Sequence, residues 1–468
     1  MKMRVNINWI WLSSVLCTML FYSCTNKDRK RTISQNDSIP PKNITVAIKP
    51  PMGWNSYDCF GLDVNETEVK ANAEYMAQHL KDLGYEYIVT DMLWYGDDKA
   101  SNYEAFTHET IPIRPNYTLD ENGRYLPDPV KFPSSVNNAG FKPLADYIHS
   151  LGLKFGLHII RGIPWQAAEK NLTIKGTDIG AASIAQPDKG CEWYDGFYGI
   201  DMAKPGAQEY YNSIFEQFAH WGVDFVKADD MEEADLKAIG QASRTCGRDI
   251  VISIVGSSIP KKIQKENAHM SRLDADFWDV WEMLKRGFPV AARALKDSEP
   301  GYWPDLDMLP IGKIGLKISY KGPEPRISNF TRNELHTLFT LWYISRMPLM
   351  IGGHLPETDA TTLELLTNRE ALEVDRNSTN NRQIKFKNAI IIWAADIPGS
   401  EDKYLAFFNQ WESFTPVNIK ITWDQLGLIA GKEYKVRDLW AKKDLGSFKG
   451  SFSSPIATHG AGLYKISK

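Results

Sequence analysis

A (β/α)8 barrel followed by a C-terminal antiparallel β-sandwich is the fold that the sequence predicts, on three observations. From residue 51 onward, short apolar runs rich in β-formers alternate with longer stretches of helical period. Eight such runs occur, which suits eight parallel strands closed into a barrel better than the alternative, an open doubly wound sheet. After about residue 380 the helical period fades, and short, partly alternating segments separated by turn residues replace it.

Taken in order, the chain opens with Lys2 and Arg4 before an apolar run from Trp9 to Tyr22 that ends "MLFYSC". This is the pattern of a secretory signal peptide over 1–24, too short for a membrane span. Its end resembles the lipobox of bacterial lipoproteins, although Phe21 and Tyr22 are bulkier than the usual residues, and predicts a lipid anchor on Cys24. The polar stretch from 25 to 48 is expected to be a flexible tether. The barrel is assigned to 49–378, with strands at "MGWNSY", "YEYIVTDMLW", "KFGLHII", "VDFVKADD", "DIVISIVG", "HMSRLD", "YWPDLDML" and "MPLMIGG". Between them, "ETEVKANAEYMAQHLKDLG" sets Val69, Ala73, Met76, Leu80 and Leu83 on one face, and "AQEYYNSIFEQFAHWG" does the same with Tyr211, Ile214, Phe215 and Phe218. Both end in glycine, a common helix stop. The sandwich is assigned to 379–468, from "RQIKFKNAIIIWAAD" to "HGAGLYKIS".

With 54 basic and 58 acidic residues and a formal net charge of −4, the chain carries no footprint for nucleic acid or an anionic membrane. Neutral partners are expected, and a membrane only through the anchor. Beyond Cys17 and Cys24 the cysteines are Cys59, Cys191 and Cys246; no CxxC or CxxH spacing suggests a metal, and sequence cannot pair them.

In a barrel of this kind chemistry sits where the strands end. Asp91 closes the second strand and His158 lies in the third. Lys227, Asp229 and Asp230 end the fourth, Arg272 and Asp276 follow the sixth, and Asp305 and Asp307 end the seventh. For any single acid the ordinary alternative is a solvated carboxylate or a helix N-cap, and Asp276, directly before the helical "FWDVWEMLKRG", is open to that reading. Carboxylates at four strand ends, two of them beside a lysine and an arginine, are harder to explain separately. They suit divalent-metal hydrolysis or glycoside cleavage by an acid and a nucleophile. Only His158 is placed as a metal-binding histidine would be, so sugar chemistry is favoured. Trp54, Tyr57, Trp94, Trp165 and Trp303 could offer flat faces to sugar C–H surfaces, or simply pack the rim.

The ordered motifs "PPMGWNSYDCFG", "LKDLGYEYIVTDMLWY", "KFPS…FKPLADYIHSLGLKFGLH", "WGVDFVKADD", "SRLDADFWDVW", "GYWPDLDMLPIG" and "LWYISRMPLMIGG" resemble glycoside hydrolase family 27, over about residues 50–468. That family holds α-galactosidases and α-N-acetylgalactosaminidases. The resemblance implies a retaining mechanism, with the nucleophile at Asp229 in the K-x-D motif and the acid/base at Asp276 in the R-x-x-x-D motif. Strand alternation agrees, since Lys227 and Asp229 share a face and Asp230 does not. Asp91, Lys227 and Arg272 are expected to hold the sugar, with Tyr57, His158, Trp303 and Asp307 as further contributors. No metal or organic cofactor is expected.

Departures from the family pattern bear on the substrate. Where family α-galactosidases usually carry two adjacent aspartates for O4 and O6 of galactose, this chain reads Asp91-Met92. The change admits a β-L-arabinopyranoside, which lacks the hydroxymethyl group, unless Met92 only packs while His158 takes the O6 contact. Val255 and Gly256 on strand five leave α-N-acetylgalactosaminidase open. Met231 stands where a disulfide cysteine commonly follows the nucleophile, so an apolar contact with Ile254 or Val255 is expected there, and Tyr57 replaces a usual tryptophan. The function expected is an exported, lipid-anchored glycosidase of the periplasm or cell envelope that releases terminal α-D-galactose from oligosaccharides or glycans. A glycan-binding lipoprotein without activity is the alternative of a different class.

Overall fold

The computed structural model describes residues 40–96, 116–194, 196–256, 258–317, 325–412 and 414–468. The predicted signal segment, Cys24 and the tether up to residue 39 lie outside them. Eight strands form one parallel sheet: β1 (Met52–Asn55), β2 (Tyr87–Thr90), β3 (Lys154–Ile160), β4 (Phe225–Asp229), β5 (Val251–Val255), β6 (Met270–Arg272), β7 (Trp303–Asp305) and β8 (Leu349–Ile351). They pair in the order β8-β1-β2-β3-β4-β5-β6-β7. Just past β7, Leu309 bridges Ile351 in the parallel sense, so the two edge strands meet and the sheet closes on itself. Each strand falls within a run predicted from sequence.

The barrel interior is filled by Tyr87, Val89, Phe225, Val251, Met270, Met308 and Met350. Gly53 makes room for this filling, because a Cβ there would lie 2.3 Å from the Tyr87 carbonyl oxygen. Outside run the helices. In α1 (Glu66–His79) an Asn65–Glu68 capping box closes the N-terminus, and Val69, Ala73 and Met76 face inward. In α2 (Ala207–Trp221) Tyr211, Ile214, Phe215 and Phe218 are buried, as their spacing predicts, and Gly222 at φ 85° ends the helix. Two later helices, α3 (Trp281–Ala294) and α4 (Arg332–Ser345), carry the C-terminal domain, for example through the edge contact of Phe288 with Phe408 at 4.9 Å.

The end of the expected tether is not free chain. Lys42 Nζ donates to the carbonyls of Lys265, Ala268 and Gly301 at 2.5, 2.7 and 2.8 Å, and Ile44–Ala47 form a 3₁₀ turn. Carbonyls at the N-terminal end of the barrel need donors, and one ammonium supplies three.

The C-terminal domain contains β9 (Thr379–Lys387), β10 (Ile390–Asp396), β11 (Lys403–Asn409), β12 (Val417–Thr422), β13 (Glu433–Asp438), β14 (Lys443–Lys449), β15 (Ser451–Ile456) and β16 (Ala461–Ser467). Six make an antiparallel sheet in the order β9-β10-β11-β16-β13-β14, and β12 pairs with β15. Leu405, Phe407, Ile421, Trp423, Phe452 and Ile466 belong to the core of this domain. Strands β14 and β15, whose partners are β13 and β12, escape sequence reading because "KKDLGSFKGSFSSP" is mostly polar and β14 is largely exposed. Cys59, Cys191 and Cys246 are free thiols.

Candidate active site

Four of the polar residues predicted at the strand ends, Lys227, Arg272, Asp305 and Asp307, line one cleft at the C-terminal end of the barrel together with Asn55 and Ser253, over the apolar floor of Phe225 and Met270. Asp91, buried just after β2, accepts from Asn55 Nδ2 at 2.7 Å and from Lys227 Nζ at 2.9 Å on one oxygen. Its other oxygen accepts the Met92 amide at 2.8 Å. Burial opposes ionisation of Asp91, but the Lys227 charge and these bonds outweigh it and hold the carboxyl well below its ordinary range. Burial likewise opposes the Lys227 charge, and the facing carboxylates of Asp91, Asp229 and Asp307 raise its pKa regardless.

Asp229 ends β4. Its Oδ1 accepts the Asp230 amide at 2.8 Å, and its Oδ2 lies 3.4 Å from His158 Nε2. Desolvation would raise its pKa, but the His158 hydrogen bond and the charges of Lys227 and Arg272 prevail, so it is lowered. Asp230 leaves the strand at φ 55° and turns to Arg161, whose Nε donates to Asp230 Oδ2 at 2.9 Å. The two adjacent acids therefore do part company, as alternation predicts.

Arg272 ends β6 and bridges two acids: Nη2 is 2.9 Å from Asp276 Oδ1 and Nη1 is 3.5 Å from Asp307 Oδ2. The Asp276 side chain, 42% exposed, stands at the rim. The N-cap reading of Asp276 does not hold, because α3 begins at Trp281 with Val280 as its cap. Asp307 accepts the Phe277 amide at 2.9 Å, which ties down the residue after Asp276. Asp305 accepts the Asp307 amide at 2.9 Å, and burial, reinforced by the Asp307 charge, pushes its pKa up to about 7.

The aromatic residues divide. Tyr57 is half-buried beside the cleft, with Lys227 Nζ 5.9 Å from its ring centroid. Trp303 does not line the cleft: it starts β7, at the end away from Asp305, donates to the Ala47 carbonyl at 2.7 Å and stacks under Arg346 at 4.7 Å. A strand presents its two ends to opposite mouths of the barrel, and Trp303 plugs the lower one. Trp54 and Trp94 are also buried, bonded to the Gly353 and His158 carbonyls, with no face free for a sugar. Half-buried Trp165 opens a short helix in the excursion between β3 and β4. Met231 meets β5 through its amide, which donates to the Val255 carbonyl at 2.9 Å.

Asn55 and Asp58 were not singled out from sequence. The one available signal for Asn55 is a polar residue closing an otherwise apolar strand. Asp58 is fully buried in the turn after β1, and desolvation followed by the Asp307 charge holds its carboxyl well above the ordinary value. Among the described residues, no three of His, Cys, Asp and Glu gather as metal ligands would.

Comparison with known proteins agrees with this arrangement. The family described as "Alpha galactosidase A" matches residues 189–377, and the "Alpha galactosidase C-terminal beta sandwich domain" matches 387–466. An α-galactosidase of Cyamopsis tetragonoloba is 27% identical over 428 residues, covering 89% of this chain and 86% of its own. Among solved structures, a family 27 β-L-arabinopyranosidase from Geobacillus stearothermophilus superposes with a TM-score of 0.85 at 42% identity, over 91% of this chain and 98% of that one. A candidate α-N-acetylgalactosaminidase from Bacillus halodurans does so with 0.80 at 38% identity, over 92% and 100%. With a cleft of paired acids at the strand ends and relatives aligned along nearly the whole barrel and sandwich, the chain belongs to glycoside hydrolase family 27 and is a glycosidase.

Proposed function

We propose that this glycosidase releases terminal α-D-galactose from the non-reducing ends of oligosaccharides or glycans by double displacement, with Asp229 as nucleophile and Asp276 as acid/base. The observation that carries the reading is the contrast between the two carboxylates around Arg272. Asp229 is only 15% exposed and held ionised, whereas Asp276, at 42%, stands at the solvent rim. Asp229 attacks the anomeric carbon while Asp276 protonates the departing oxygen. Water, deprotonated by Asp276, then hydrolyses the glycosyl-enzyme and returns Asp229 to its free form. Asp91, Lys227, Arg272 and Asp307 bind the sugar hydroxyls, with Tyr57 and His158 as walls. Neither step calls for a metal or organic cofactor. Asp229→Ala should lose nearly all turnover of p-nitrophenyl α-galactoside and regain part of it with azide; full activity in that variant would sink the assignment.

A second reading, cleavage of β-L-arabinopyranosides, is favoured by one observation. Met92, where family α-galactosidases carry a second aspartate, is buried and apolar at 3% exposure, so its side chain offers O6 no hydrogen bond. The Geobacillus relative is described as such an enzyme. Assays of α-galactoside, α-N-acetylgalactosaminide and β-L-arabinopyranoside side by side decide the sugar, and release from none of them would mean a binding protein. Export with a lipid on Cys24 is part of the proposal, supported by the "MLFYSC" ending of the apolar run. Alkyne-palmitate labelling that persists in Cys24→Ala would overturn it.

A further inference from the structure

Asp229 is held at both oxygens, and one of the two donors is the backbone of its own neighbour. The Asp230 amide reaches Asp229 Oδ1 at 2.8 Å while residue 230 sits at φ 55°. That left-handed conformation is tolerated by Asp and Asn better than by other side chains, yet it still needs something to hold it. Arg161 is placed to do so. Its Nε donates to Asp230 Oδ2 at 2.9 Å, its Nη1 and Nη2 donate to the Lys189 and Gly190 carbonyls at 2.9 and 3.1 Å, and Nη2 lies 3.2 Å from Glu232. The Arg161 amide donates to the Asp229 carbonyl at 3.2 Å, so the same residue grips the chain on both sides of the Asp229–Asp230 peptide. Behind it, the Gly162 amide donates to Tyr211 Oη at 3.1 Å, and Tyr211 donates to Asp235 at 2.5 Å. The start of the excursion between β3 and β4 is thus clamped to the end of β4.

We infer that Asp230 and Arg161 are positioning residues for the nucleophile: their ion pair locks residue 230 in the left-handed turn that aims its N–H at Asp229 Oδ1. The inference rests on Asp229 being the nucleophile. The clamp works through shape rather than charge. The Asp229 and Asp230 carboxylates oppose one another's ionisation, Arg161 and the Cys191 thiol favour the ionised form of Asp230, and the groups facing Asp229 are His158 on β3, Lys227 on β4 itself and Arg272 on β6. A neutral backbone donor does not titrate, so it orients the carboxylate at every working pH.

Three variants test this through kcat, KM and the acid limb of kcat/KM, which reports the ionisation of the free enzyme's nucleophile. Asp230→Ala removes both the anchor and the tolerance for the turn. It should lower kcat by about tenfold or more, the worth of one hydrogen bond to a charged group, and leave KM within about threefold. Its acid limb should move up by about one pH unit. Asp230→Asn keeps the turn and an acceptor for Arg161, and should restore both quantities to within about threefold of wild type. The double variant Arg161→Gln/Asp230→Asn removes the anchor without leaving an unbalanced carboxylate beside Asp229 and should move the limb in the same direction; it decides the matter if circular dichroism shows Asp230→Ala misfolded. An acid limb that stays in place in the folded variants, or a loss in Asp230→Asn equal to that in Asp230→Ala, overturns the inference. The nucleophile assignment is judged separately by azide rescue of Asp229→Ala, so the two failures are distinguishable.

Discussion

Replacing Lys227 with methionine keeps most of the side-chain volume and deletes the ammonium at the heart of the cleft. Lys227 Nζ lies 2.9 Å from Asp91 Oδ2, and the two side chains are only 13% and 2% exposed. Removing one partner of a buried ion pair costs roughly 3–5 kcal/mol, because the other charge is left stranded. Asp91 retains the bonds from Asn55 and the Met92 amide, so the cost should fall at the low end, about 3 kcal/mol. In the wild type the lowered Asp91 pKa contributes stability above the unfolded pKa, lost only in strong acid. The raised Lys227 pKa contributes stability below the unfolded value, lost only in strong base. Between these limits the pair is constant. In the variant, burial dominates at Asp91, its carboxyl takes up a proton more readily, and the penalty is relieved as pH falls. Denaturant unfolding of both proteins should therefore show a gap of about 3 kcal/mol at pH 8 that narrows by at least 1 kcal/mol towards pH 5. A gap equal at both pH values, or none at either, would refute the electrostatic account of this site.

Asp276→Ala should lower kcat by about 10²–10⁴ on a glycoside with a poor leaving group and by far less on the p-nitrophenyl glycoside, because a good leaving group needs no proton; equal losses on both would remove Asp276 from the acid role. Neither carboxylate oxygen of fully buried Asp375 has a hydrogen-bond partner among the described residues, and burial lifts its pKa to about 7. A raised carboxyl contributes stability at low pH that is lost as pH rises through the folded pKa. Asp375→Asn should therefore gain about 2–4 kcal/mol on the wild type between pH 4 and pH 8 in thermal and denaturant unfolding, and a constant difference would contradict this. Lys42→Ala removes three carbonyl contacts and should cost about 1–3 kcal/mol, with faster proteolytic cleavage around residues 40–48; unchanged proteolysis would show that the strap does not depend on it.

Much of the site was legible because its residues are polar where a barrel strand should be apolar. Lys227 and Asp229 interrupt an apolar run, and Arg272 stands four residues before Asp276 at another strand end. The aromatics were less legible. Trp303 and Tyr57 look alike in sequence as residues near strand ends, but one is at the start of its strand and the other follows the end of its own. Lys42 read as part of a polar tether because carbonyls that need a donor leave no mark in a sequence. Strands β14 and β15 were invisible because β14 faces solvent and β15 buries only Phe452 and Ile456 among polar residues, too little apolar alternation to announce a strand.

The two acids proposed for chemistry were picked out by the K-x-D and R-x-x-x-D motifs of the family the chain resembles; by itself, the sequence determined the eight strands and the change to an antiparallel domain. Those depend on local pattern, and burial on one side of a strand or helix writes a period into the residues. Only the tertiary structure decided that Arg272 joins Asp276 to Asp307, that Asp91 pairs with Lys227 across 136 positions, and that Arg161 holds the turn after the nucleophile. Such contacts join groups far apart in the chain, and they are set by which strands become neighbours when the sheet closes.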